Sequence, residues 1–149
     1  MNTTIAAATL QERRHQQHGT AVLSKVGLLG RILYSAIFIL SGPNHFKAQT
    51  IGYAAAQGVP LASIAVPLSG IIALLGGLSI ALGYRARLGA WLIVLFLVPV
   101  TLMMHRFWGL SDPQVAQLQL AMFIKNVALL GAALIIARVG SGPLSLRRD

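Results

Sequence analysis

Long apolar stretches and short polar segments alternate along the chain. Four stretches stand out, at about 26–42, 60–83, 88–105 and 117–137. A helix needs about 20 predominantly apolar residues to cross a hydrocarbon core, and each of these runs is close to that length. The second, PLASIAVPLSGIIALLGGLSIALG, contains no charged side chain, and the third has only a histidine at its end. The first and fourth carry one cation each, Arg31 and Lys125. In lipid the backbone must satisfy its own polar groups within each segment, so the runs are predicted as helices. The expectation is an all-α, four-helix transmembrane bundle over residues 25–139. It is flanked by a disordered tail at 1–24 and a basic tail at 140–149.

The connections carry their own signals. Tyr84-Arg85-Ala86-Arg87 is a short link that makes its helices antiparallel neighbours. The segment 43–59 is predicted to hold a short interfacial helix near 48–57, with Phe46 and Tyr53 at headgroup level. Ser111-Asp112-Pro113 reads as an N-cap followed by proline in the first turn of the fourth helix.

Composition agrees with the pattern. The chain is 56% hydrophobic and only 10% charged, too little polar surface for a water-soluble domain. Its net charge of +9 does not mark a nucleic-acid protein, because the cations flank apolar runs. With a cytoplasmic start and four crossings, eight cations fall inside: Arg13, Arg14, Lys25, Arg85, Arg87, Arg138, Arg147 and Arg148. Two, Lys47 and Arg106, fall outside. Both termini are therefore expected in the cytoplasm, with the basic segments against the bilayer surface. The chain contains no cysteine, which removes thiol redox chemistry and iron–sulfur ligation.

Helices in lipid associate by close packing. The second span offers a smooth face of Ser69, Ala73, Gly77 and Ala81, widened by Gly70 and Gly76. The fourth offers Ala121, Ala128, Gly131, Ala132 and Ala133 for the same purpose. Pro67 and Pro99 each remove a helical hydrogen bond, which kinks a helix and in some bundles shapes a cavity.

The polar residues inside the bilayer are the candidate site. Lys125, Asn126 and Ser69 lie at similar depth in the outer half. His105 closes the third span, and Ser41, Asn44, His45 and Lys47 close the first. Arg31 stands near the inner end of the first span. Each has a structural alternative: Lys125 and Arg31 can snorkel to the headgroups, Asn126 can bond across helices, and His105 can sit at the interface. Intramembrane ionisable residues are costly, which keeps the functional reading in play. A cationic, acid-free pocket suits a carbonyl oxygen or an anion, so a quinone headgroup or a small oxyanion is the expected ligand. No covalently bound cofactor is expected. Two histidines without a carboxylate or thiolate are a poor metal set, so no metal site is expected either.

Several segments resemble the DoxX family of small four-helix membrane proteins. They are GRILYSAIFILSGPNHF, GVP before the second span, LLGGLSIALGYRARLGAWLI, MMHRFW and MFIKNVALLGAALI. Family members often carry an acidic residue in the second span, where this chain reads SGIIALLGG. The resemblance implies a multi-pass protein of the bacterial cytoplasmic membrane. Some members of the family are membrane subunits of a thiosulfate:quinone oxidoreductase, so the resemblance suggests a redox-linked membrane subunit as the first reading. A non-enzymatic anchor or assembly factor, working with a protein partner or as a homo-oligomer, is the alternative reading. A small-solute transporter is a third.

Overall fold

The computed structural model describes residues 2–147, with side chains from residue 19 onward. It has five α-helices: α1 (Asn2–Ser41), α2 (Ala48–Ala56), α3 (Ala62–Leu82), α4 (Ala86–Met104) and α5 (Pro113–Val139). A 3-10 turn, Gly42–Phe46, joins α1 to α2. Four segments are long and apolar enough to cross a membrane: Gly19–Phe46, Ala62–Leu82, Ala86–Met104 and Pro113–Val139. The outward side chains along them, Leu33, Leu40, Ile64, Leu75, Leu95, Ile124 and Ile135 among them, are large, apolar and exposed. A surface of that kind faces lipid.

The expected interfacial helix is present as α2. Asp112 caps α5, its carboxylate accepting from the backbone N–H of Gln114 at 2.8 Å and of Val115 at 3.3 Å. Two segments differ from the sequence reading. The stretch 1–24, expected to be disordered, is helical from Asn2 onward. TIAAATLQERRHQQ is rich in strong helix formers and has no glycine or proline before Gly19, so local propensity extends α1. At the other end, the basic tail does not hang free. Gly140–Arg147 folds back as a strap beneath the bundle; Arg148, counted with that tail, lies outside the described residues.

Helix α3 is the centre. It packs against α1, α2, the 3-10 turn and α4, while α4 packs against α5. Its buried face is Gly70, Ala73, Gly76, Gly77 and Ile80. A Cβ on Gly76 would lie 2.9 Å from the Gly89 carbonyl oxygen on α4, and one on Gly89 would lie 2.9 Å from the Gly76 carbonyl oxygen. The two backbones touch there with no room for a side chain. Gly77 meets α1 at Phe38 and Ile39, and Gly70 meets His45. On α5 the expectation is only partly met: Ala133 is buried and Ala132 half-buried, but Ala121, Ala128 and Gly131 face outward. The inward stripe of α5 is instead Gln119, Asn126 and Ala133, spaced by seven residues.

The strap is held by a buried cation. Arg31 is 7% exposed, and its guanidinium donates to the carbonyls of Leu144 at 2.7 Å and Pro143 at 3.3 Å. It therefore points into the protein rather than snorkelling to headgroups. Its Nε is buried without a partner among the described residues. The strap also pairs with the α3–α4 turn, through Leu146 N–H to the Leu82 carbonyl and Arg147 N–H to the Gly83 carbonyl. Ser141 Oγ accepts from the N–H of Ala86, the first residue of α4. Gly83 ends α3 in the left-handed region, φ 63°, with Tyr84 N–H reaching back to the Ser79 carbonyl. A Cβ there would strike Ser145 of the strap, so this position requires glycine twice over.

Two outcomes follow for stability in detergent titration. Arg31→Ala removes two charge-assisted bonds and is expected to cost about 2–4 kcal/mol, with protease sensitivity appearing in the strap. Gly76→Leu separates α3 from α4 and is expected to cost about 2 kcal/mol or more, whereas Leu75→Ala, on the lipid face, stays within about 0.5 kcal/mol.

Candidate functional site

A cavity of ≈ 470 Å³ lies in the half of the bundle next to α2. Every spanning helix contributes to its wall, and most of the wall is apolar: Phe38 from α1, Val66 from α3, Phe96 and Met103 from α4, Leu129 from α5. Five of the six residues expected from the sequence line it: Ser69, His45, His105, Lys125 and Asn126. Arg31 does not; it belongs to the strap.

The polar members stand in different states. Asn126 is 4% exposed, and its side chain makes no hydrogen bond to any described residue. The neighbouring Lys125 turns outward and is exposed, its Nζ 3.5 Å from the Met122 sulfur on its own helix. Adjacent helical residues point about 100° apart, so the neutral amide takes the buried position while Lys125 lines the cavity from its exposed margin. Ser69 donates to the Val66 carbonyl at 2.7 Å, which leaves its oxygen as an acceptor.

Both histidines are held at Nδ1. In His45 that atom lies 3.2 Å from the Gly42 carbonyl and 3.3 Å from the Ser41 carbonyl. Carbonyls only accept, so Nδ1 carries the proton and Nε2 is the acceptor nitrogen of the neutral ring. The ring packs edge-on against Phe96, centroids 5.6 Å apart, and Phe96 in turn meets Phe38 at 6.1 Å. His45 can take this position because Gly70 lies beneath it; a Cβ there would come 2.6 Å from the His45 Cβ. His105 Nδ1 lies 3.0 Å from Gln119 Oε1, tying the end of α4 to α5.

Sequence reasoning left three polar contributors out of the site. Thr50 and Tyr53 of α2 line the cavity, because α2 folds over its end rather than lying apart as an interfacial element alone. Gln119 holds His105. Its position seven residues before Asn126 was the available signal, since two helical turns return to the same face.

The amide inside an apolar cavity gives a direct test. An unpartnered buried polar group costs about 1–3 kcal/mol. Asn126→Leu is therefore expected to leave the ligand-free protein as stable or to stabilise it by about 1 kcal/mol, measured by detergent unfolding. A cross-helix structural asparagine would give a loss instead. Gly70→Ala is expected to displace His45 and weaken ligand binding more than Lys125→Ala does, read by titration of the folded protein.

The DoxX family model matches residues 26–106. That segment covers α1 from its membrane portion through α4, including Arg31, His45, Ser69 and His105; α5, with Lys125 and Asn126, follows it. Inner membrane protein YphA of Escherichia coli (strain K12) is 29% identical over 123 residues, which span 81% of this chain and 87% of that protein. No solved structure matches this chain.

Proposed function

Because the chain belongs to the DoxX family, we propose that it is a redox-linked subunit of the bacterial inner membrane that holds a quinone headgroup in the cavity beside α2. The observation that carries this reading is the buried amide of Asn126, whose side chain has no hydrogen-bond partner among the described residues, in a mostly apolar wall. A ring carbonyl supplies the acceptor that its NH₂ needs, and the aromatic pair Phe38 and Phe96 suits a flat apolar ring. The acceptor nitrogen of His45 suits a ring hydroxyl, the reduced counterpart of that carbonyl. A small oxyanion is a poorer match, because Lys125 turns outward and the buried wall presents neutral groups.

The relative's name places it in the inner membrane, and the same location is proposed here. The cation distribution orients the bundle, with the strap and both termini in the cytoplasm and α2 outside. Lacking cysteine, the chain holds no iron–sulfur centre, so electrons reach the quinone from a partner subunit or from a substrate that meets it directly. The outward Ala128 and Gly131 of α5, with open space around Gly131, support a second reading as an anchor for a partner helix. Crosslinking from α5 in native membranes tests that reading, and a chain that crosslinks only to lipid overturns it.

Mass spectrometry of mildly extracted protein is expected to find quinone, reduced about tenfold or more in Asn126→Leu and unchanged in Arg31→Lys. Protein that supports quinone-linked turnover of a partner complex while carrying Asn126→Leu overturns the assignment. Reporter fusions at either end are expected to give the cytoplasmic signal, and a periplasmic signal at one end overturns the orientation.

A further inference from the structure

We propose that the cavity opens to the bilayer along the seam between α1 and α5, so that its ligand is an amphiphile whose tail leaves through that seam. The inference rests on the headgroup reading above and concerns how the ligand gets in and what else it must carry.

Direct contacts close much of the rest of the bundle. At the strap end, Arg31 and the folded-back Gly140–Arg147 segment cover the bundle. Between α3 and α4 the backbones meet at Gly76 and Gly89. Between α1 and α3, Gly77 lies against Phe38 and Ile39. The α4–α5 side is tied by His105 and Gln119 and by the edge-on packing of Phe107, Trp108 and Phe123. Over α3, α2 seats Ala54 on Ala62 and Val66.

Helices α1 and α5 are the adjacent pair that does not pack along its length. What joins them is the hydrogen bond from Tyr34 Oη to the Leu129 carbonyl, 3.0 Å, with Phe38 reaching the core beside it. Beyond that bond, toward α2, Ile37 on α1 and Lys125 on α5 both line the cavity and both reach the protein surface. Leu129 lines it from the same side. A seam with these walls, apolar apart from Lys125, admits an alkyl chain. Lys125 places its ammonium at the margin, beside a ligand's more polar end. Tyr53 on α2, Pro60 before α3 and Pro99 on α4 are also exposed lining residues, and they mark where competing routes would run.

The seam and the competing routes predict different tail dependence. Wild-type protein in lipid nanodiscs is titrated with a dimethoxy-methyl-benzoquinone bearing a decyl tail and with the same ring without it, affinities being expressed per mole fraction of ligand in lipid. Both are expected to bind. Ile37→Trp fills the seam and is expected to weaken the tailed ligand about tenfold or more while changing the tail-free ring by less than about threefold. Leu129→Phe narrows the seam from α5 and should show the same selectivity. Val127→Trp adds at least as much bulk to an exposed position of α5 that does not line the cavity, and should change neither ligand. Wild-type binding of the tail-free ring alone, or equal effects of Ile37→Trp on both ligands, overturns the seam. Binding of neither ring, or binding indifferent to Asn126→Leu, overturns the headgroup reading and the seam with it.

Discussion

The fold depends on how closely other backbones can approach α3. Lipid supplies no hydrophobic drive between helices, so association must come from contact itself. Gly70, Gly76 and Gly77 lie within two turns of one helix, and each admits a different neighbour: the 3-10 turn with His45, α4, and α1. Removing the side chains at these points draws three elements onto a single axis. The same approach places His45 over Gly70 and Phe38 beside Gly77, so the polar and aromatic walls of the cavity follow from the packing of α3.

Much of this was visible in the sequence because the membrane imposes simple rules. Span lengths, the short helix at 48–57 and the Asp112–Pro113 start of α5 all follow from local pattern. Five cavity residues were found because polar atoms in apolar spans are few. What escaped was tertiary. Nothing local says that Arg31 pairs with carbonyls at Pro143 and Leu144, since the contact joins segments more than a hundred residues apart. The glycines at Gly140 and Gly142 and the proline after them mark a turn, but not where the turned chain goes. The choice between Lys125 and Asn126 was also closed to pattern alone. It is set by desolvation, which is far greater for an ammonium than for an amide.

The two ends of the bundle divide the work. One end is sealed by a charged side chain whose two terminal nitrogens are bonded to the strap. The other keeps an amide side chain without a partner among the described residues, in a space large enough for a ring. Stability is concentrated at the first, and the proposed binding free energy at the second.

The strap has a consequence for how the protein is made. Arg31 enters the membrane with the first span, yet the carbonyls that satisfy it lie 112 and 113 residues further along the chain. Until those residues leave the ribosome, the nascent protein carries this cation without the carbonyl partners it has in the folded protein. The bundle is therefore unfinished through most of translation, and the contact that closes its strap end is among the last the chain can make.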